Sequence, residues 1–208
     1  HIQYADLDLK DFRRRIGAHI EALNHATRNI APEQMRLHLC WGNYEGPHHR
    51  DVPLADIVDI VFGARPHAIS LEAANPRHAH EYTLFETVKL PPGKVLKTIL
   101  ETGELPSPAL IREAARIAIG TGADMIKTST GKTPVSATPA AVQIMLEEIK
   151  ASGRAVGIKP SGGIRTAAEA RAYLDLADRI MGPAWATPKT FRFGASGLLD
   201  ALLTEVAA

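Results

Sequence analysis

Three helix-type runs in this chain open on Ser or Thr and close on Gly: "SPALIREAARIAIGTG" (107–122), "TPAAVQIMLEEIKASG" (138–153) and "TAAEARAYLDLADRIMG" (166–182). The hydroxyl residues are natural N-caps and the glycines natural stops, so each run is a bounded helix. Short apolar runs sit between them, and two of these end on lysine: "DMIKTS" (124–129) and "AVGIKPS" (155–161). Strands that are apolar on both faces, each followed by a helix, imply a parallel sheet covered by helices.

The same alternation extends toward the N-terminus. "DLKDFRRRIGAHIEALNHATRN" places Phe12, Ile16, Ile20 and Leu23 on one helical face. Further strands are read at "IQYAD" (2–6), "RLHLC" (36–40), "AISLEA" (68–73), "VLKTILE" (95–101) and "FRFGAS" (191–196), making seven in all. Chemistry-bearing residues fall at the C-terminal ends of several strands, which favours the (β/α) TIM-type barrel within the α/β class. Seven strands is one short of the usual eight. "LADIVDIVF" (54–62) reads as a helix, with Leu54, Ile57, Val58 and Val61 on one face, rather than as an Asp59-bearing strand.

A lysine at the end of a buried strand is disfavoured as an ammonium, and a second cation beside it lowers its pKa further. Lys127 is then expected to react as a neutral amine with a carbonyl, forming a Schiff base, with Lys159 on the neighbouring strand as the second cation. Gly131 and Lys132 follow the first lysine strand. Gly162 and Gly163 follow the second, just before the helix at Thr166. Gly194, Ala195, Ser196 and Gly197 lead into the last helix. Glycine-rich turns at helix N-termini admit anions, so this set is expected to cradle a phosphate.

With "KTILETGEL", "MIKTSTGK", "GIKPSGGIRTAAEA" and "FRFGASGLL" in order, residues from about 97 to 205 resemble the C-terminal half of 2-deoxyribose-5-phosphate aldolase, a class I aldolase. The resemblance implies Lys127 as the Schiff-base lysine and Lys159 as its partner. It also implies Lys132, Gly162, Gly163, Arg165, Gly194 and Ser196 at the phosphate. It covers half the chain and implies no required cofactor.

Residues 1 to about 94 lack the N-terminal half of that family. Instead "RLHLCWGNYEG", "ARPHAISLEAANPRHAHE" and "KLPPGKVL" resemble the catalytic barrel of the cobalamin-independent methionine synthase family. That resemblance implies zinc held by His38, Cys40 and Glu72, and strand alternation places His38 and Cys40 on one face. The family's second cysteine is missing, and Ala5 and Leu7 stand where relatives carry an acid and a proline. A buried Cys40 with a loop-bonded His38 is the plainer reading. His48, His49, His78 and His80 read as solvated, although any of them is a candidate replacement ligand.

The expectation is therefore a chimera joined near 93–100: one barrel domain over 1–208, with a methionine-synthase-like part over 1–94 and an aldolase-like part over 95–208. Function is expected to be that of an engineered-type scaffold retaining a phosphate site without efficient native activity. The alternatives are a weak class I aldolase, with Glu72 or Glu101 as proton shuttle, and a zinc-dependent thiol methyltransferase-like protein. The partner is expected to be phosphate or a phosphorylated small molecule, and an open barrel edge would favour a homodimer. A net charge of +1 over 208 residues implies neither nucleic acid nor an anionic membrane. The single cysteine, the absence of a long apolar run and the lack of a signal-type start fit a cytoplasmic protein. The first residue, His1, reads as a processed, tagged or excised start.

Overall fold

The computed structural model describes residues 4, 6–42, 48–71, 77–92 and 94–206. The chain divides into two compact units, His1–Lys94 and Val95–Ala208. Every named strand pair among the described residues is parallel.

In the first unit, helix α1 (Leu9–Ala26) starts where the Asp8 side chain accepts the Asp11 N–H at 2.7 Å. That bond satisfies one of the amides a helix start leaves unpaired. Phe12 and Ile16 lie against an apolar cluster of Leu54, Ile57, Val58 and Val61. Arg13 reaches Asp59 through two bonds of 3.0 and 2.8 Å. Asp59 belongs to helix α2 (Val58–Phe62), as the spacing predicts, and not to a strand. Strands β1 (Arg36–Leu39) and β2 (Ala68–Leu71) pair with Arg36 opposite Ala68 and Leu39 opposite Leu71. The strand expected at 2–6 falls largely outside the described residues.

In the second unit, β3 (Lys97–Ile99), β4 (Met125–Lys127) and β5 (Gly157–Lys159) form one sheet in that order. Helices α3 (Pro108–Gly120), α4 (Pro139–Ser152) and α5 (Ala167–Met181) follow Ser107, Thr138 and Thr166, each of which caps its helix through the side chain. At α5 the cap is reciprocal: Thr166 accepts the Glu169 N–H while Glu169 accepts the Thr166 N–H. Gly153 ends α4 at φ +64°, a conformation without steric cost only for glycine. Ile126, Val142, Met145, Leu146 and Ile158 are fully buried at the centre of this unit. Helix α6 (Gly197–Val206) closes it.

The seventh expected strand, 191–196, is replaced by two isolated parallel bridges, Ile158 with Phe191 and Ser161 with Gly194. The reason lies across the ladder. Ile158 N–H donates to Thr190 and Arg192 N–H donates back to Ile158. Gly194 N–H then donates to Pro160, and Gly162 N–H donates to Gly194. The rung that should start from residue 160 is missing because proline has no N–H. Five named strands thus stand among the described residues, each shorter than its sequence run.

Candidate active site

Lys127 and Lys159 are direct partners in the register of β4 and β5. Registered residues on parallel neighbours project to the same face, so both side chains leave the sheet together. Their backbones are pinned on both sides. The Lys127 carbonyl accepts the Leu100 N–H at 2.9 Å, and the Lys159 carbonyl accepts the Thr128 N–H at 3.2 Å. Beneath them Ile126 and Ile158 are inaccessible, whereas both lysines are half-buried. Each lysine thus stands one residue past a fully buried isoleucine of its strand.

The turns beyond the two lysines interlock. Thr128, fully buried, accepts the Ser161 N–H at 2.9 Å through its hydroxyl. Ser161 accepts the Ala137 N–H at 3.1 Å. Gly194 lies so close to Ser161 that an added Cβ would sit 2.2 Å from the serine Oγ and 3.1 Å from Lys159 Cε. The Lys159 stem thus runs past the bare face of Gly194. Gly162 and Gly163 both have φ of +83°, and a Cβ on Gly162 would collide with Ser136. These glycines are demanded by backbone geometry and close approach.

Of the residues expected at an anion, the N–H groups of Gly162 and Gly194 are already held in the backbone ladder. Their part in any cradle is to shape it. The Arg165 N–H and the Thr166 N–H both donate to Glu169. Those two bonds hold the Glu169 carboxyl below the usual range and fill the first turn of α5 with its own carboxylate. Gly131 (φ +86°) and the exposed Lys132 end the turn after β4, where the Lys132 N–H donates to Thr130 Oγ1 at 3.2 Å. Ser196 accepts the Leu199 N–H at 3.2 Å through its carbonyl, at the start of α6.

Glu101, which the sequence admits as a proton shuttle, is bonded to the turn after the lysine strand. It sits in the left-handed region at φ 52°, and its carboxylate accepts the Thr130 N–H (3.0 and 3.2 Å), the Thr133 hydroxyl (3.2 Å) and the Thr130 hydroxyl. Both oxygens are engaged in holding the turn after the lysine strand. Periodicity carries no signal for this clamp, because it joins residues 29 positions apart. Two surface hollows of the described residues are lined by Leu7, Asp11, Arg15 and His19 and by Leu174, Pro188, Phe191 and Arg192, and neither lining includes Lys127 or Lys159.

In the first unit, His38 is exposed on β1 with Nδ1 3.3 Å from Ser70 Oγ. Cys40 is a partly exposed free thiol one residue past the strand, and Glu72 lies outside the described residues. The expectation of solvated histidines fails at two positions. His48 and His78 are only 6% and 1% exposed, because each is paired with a buried carboxylate three residues on, Asp51 and Glu81. Spacings of H-x-x-D and H-x-x-E were the available signal. No helix among the described residues is long and apolar enough to cross a membrane.

Comparison with known proteins agrees with the second unit. The sequence profile of the DeoC/LacD family aldolases matches residues 93–202. A deoxyribose-phosphate aldolase of Agrobacterium fabrum (strain C58) is 59% identical over 113 residues, which are 54% of this chain and 44% of that relative. The chain thus spans less than half the length of that curated relative. Among solved structures, a protein assigned as a deoxyribose-phosphate aldolase from Coccidioides immitis superposes with a TM-score of 0.63 at 21% identity, covering 91% of this chain and 71% of the other. The tetrameric deoxyribose phosphate aldolase of Aeropyrum pernix gives 0.58 at 20% identity, over 92% and 75%. At such identities the likeness is one of fold, the TIM-type (β/α) barrel class. With its family match falling on the sheet that carries Lys127 and Lys159, the chain belongs to the DeoC/LacD family of aldolases.

Proposed function

We propose that the second unit carries a class I aldolase site in which Lys127 forms a Schiff base with a phosphorylated aldehyde. The observation that carries this reading is the register of β4 and β5, which sets Lys127 opposite Lys159. A cation at Lys159 favours the neutral amine at Lys127. That amine adds to the aldehyde carbon, and loss of water leaves the imine. Lys132 and Arg165 supply positive charge for the phosphate, beside the turns shaped by Gly131, Gly162, Gly163 and Gly194 and the helix start after Ser196. No step requires a metal.

The reading extends to the whole chain as a chimera. The family match begins at residue 93, and the compact units divide between Lys94 and Val95. The first 94 residues carry the methionine-synthase-like motifs and replace the part of the aldolase that would complete the site. Because catalytic groups act as a unit, Schiff-base formation is expected to survive better than full turnover.

The test is borohydride reduction of the full chain in the presence of a phosphorylated aldehyde, read by mass spectrometry. Wild type should gain the reduced adduct on Lys127, and Lys127→Ala should not. Absence of adduct from wild type under conditions where a known class I aldolase is trapped would end the proposal.

A further inference from the structure

The first unit contains a buried cluster of titratable side chains. Side chains of His48, Asp51, His78 and Glu81 are all nine-tenths or more buried. They form a chain of contacts: His48 Nδ1 is 2.5 Å from Asp51 Oδ2, and His78 Nε2 is 3.2 Å from the same oxygen. On its other side, His78 Nδ1 lies 2.9 Å from Glu81 Oε2, and Glu81 Oε1 accepts the Leu54 N–H at 2.7 Å. Trp41 packs over the His78 ring, with centroids 4.6 Å apart.

Charged and polar groups removed from water this completely must be satisfied by one another or by an ion. A neutral imidazole has one N–H to give. If His78 gives it to Glu81, the Nε2 lone pair faces the Asp51 oxygen, and two electron-rich atoms confront each other across 3.2 Å. A positive charge there resolves that conflict, either a second proton on the ring or a metal cation between the two atoms. His48, Asp51 and His78 can each offer one ligand atom such that the three lie within 4.8 Å of one another. Ligands bonded tetrahedrally at about 2.0–2.1 Å stand roughly 3.3 Å apart, so the Asp51–His78 edge is already of that length. The shorter His48–Asp51 edge must open by less than about 1 Å on the same bond lengths, and the His48–His78 edge is no longer than 4.8 Å between the offered atoms.

The Glu81 contact supplies an independent indication. A metal-binding histidine commonly gives its second N–H to a carboxylate that fixes ring orientation and is itself hydrogen-bonded. Glu81, anchored by the Leu54 amide, stands in that position. We propose that His48, Asp51 and His78 form a binding site for a divalent transition metal of the zinc type, with Glu81 as the orienting residue behind His78. Two imidazoles and one carboxylate suit zinc-like ions rather than magnesium or calcium, which favour oxygen ligands. The ion would tie the 48–54 segment to the 78–81 turn. This set differs from His38, Cys40 and Glu72 in having no thiolate.

The test uses the full chain loaded with zinc chloride, dialysed, and examined by metal analysis and zinc K-edge X-ray absorption. Wild type should keep stoichiometric zinc in a nitrogen and oxygen shell near 2.0–2.1 Å, with imidazole scattering and without a sulfur at about 2.3 Å. Asp51→Asn and His78→Gln should retain at least about tenfold less zinc, whereas Cys40→Ser should retain as much as wild type. The wild-type spectrum decides the ligand type even if a variant fails to fold. Loss of all zinc on dialysis, a sulfur ligand in wild type, or undiminished zinc in folded Asp51→Asn and His78→Gln would each overturn the site.

Discussion

Glu101 holds Thr130 twice, at its backbone N–H and at its hydroxyl, from a residue position in the left-handed region of backbone space. The side-chain bonds offset the conformational cost of placing a non-glycine residue there. Glu101→Ala removes the clamp and keeps the cost; Glu101→Gly removes both. Chemical denaturation should therefore find Glu101→Ala less stable than Glu101→Gly, by about 1–2 kcal/mol. Equal stabilities would mean that the left-handed backbone is unstrained.

Gly194 should not tolerate a side chain. Its φ is not the obstacle; the Ser161 side chain is, with Oγ 2.2 Å and Cβ 2.6 Å from where a new Cβ would be. Gly194→Ala is expected to lower stability by about 1–3 kcal/mol, the usual effect of overpacking. Adding Ser161→Gly should recover most of that loss in a double-mutant cycle. A strictly additive cycle would show that the collision is not the cause.

Leu146 on α4 is inaccessible to solvent, whereas Leu203 on α6 is 60% exposed. Leu146→Ala should cost about 2–5 kcal/mol by loss of burial and creation of a cavity. Leu203→Ala should stay within about 0.5 kcal/mol of wild type. The contrast is read from paired urea melts.

Acid should loosen the contact between α3 and α4. Glu148, 5% exposed, takes bonds from Arg112 (2.5 Å) and Arg116 (2.7 Å). Burial pushes its carboxyl up, but the hydrogen bonds from Arg116 and Arg112 outweigh burial and hold it below the usual range. A folded-state pKa below the unfolded one gives stability that is complete above the unfolded value, about 4.3 for Glu, and is lost as pH falls through the folded value. Wild type should lose stability across that acidic window, and Glu148→Gln should show a shallower slope there. Identical slopes would remove Glu148 from the account.

A cation at Lys159 should matter through charge. Lys159→Met keeps the stem beside Gly194 but removes the positive end, so imine trapping at Lys127 should fall near neutral pH and return at higher pH. Lys159→Arg should preserve trapping at neutral pH. A loss in Lys159→Met that high pH does not restore would point to a packing role.

Sequence by itself determined the features that depend on neighbours a few residues away. Ser107, Thr138 and Thr166 announce their helices because a cap acts over three residues, and "MIK" and "GIK" announce strands because apolar runs of that length suit a buried sheet. Tertiary structure alone decided what those elements bring together. Pro160 interrupts pairing only because 190–194 lies alongside it, Glu101 becomes a clamp only when Thr130 folds onto it, and His48 meets His78 across 30 positions of chain. Such contacts arise from packing and the exclusion of water, which act between segments distant along the chain and leave no periodic trace in it.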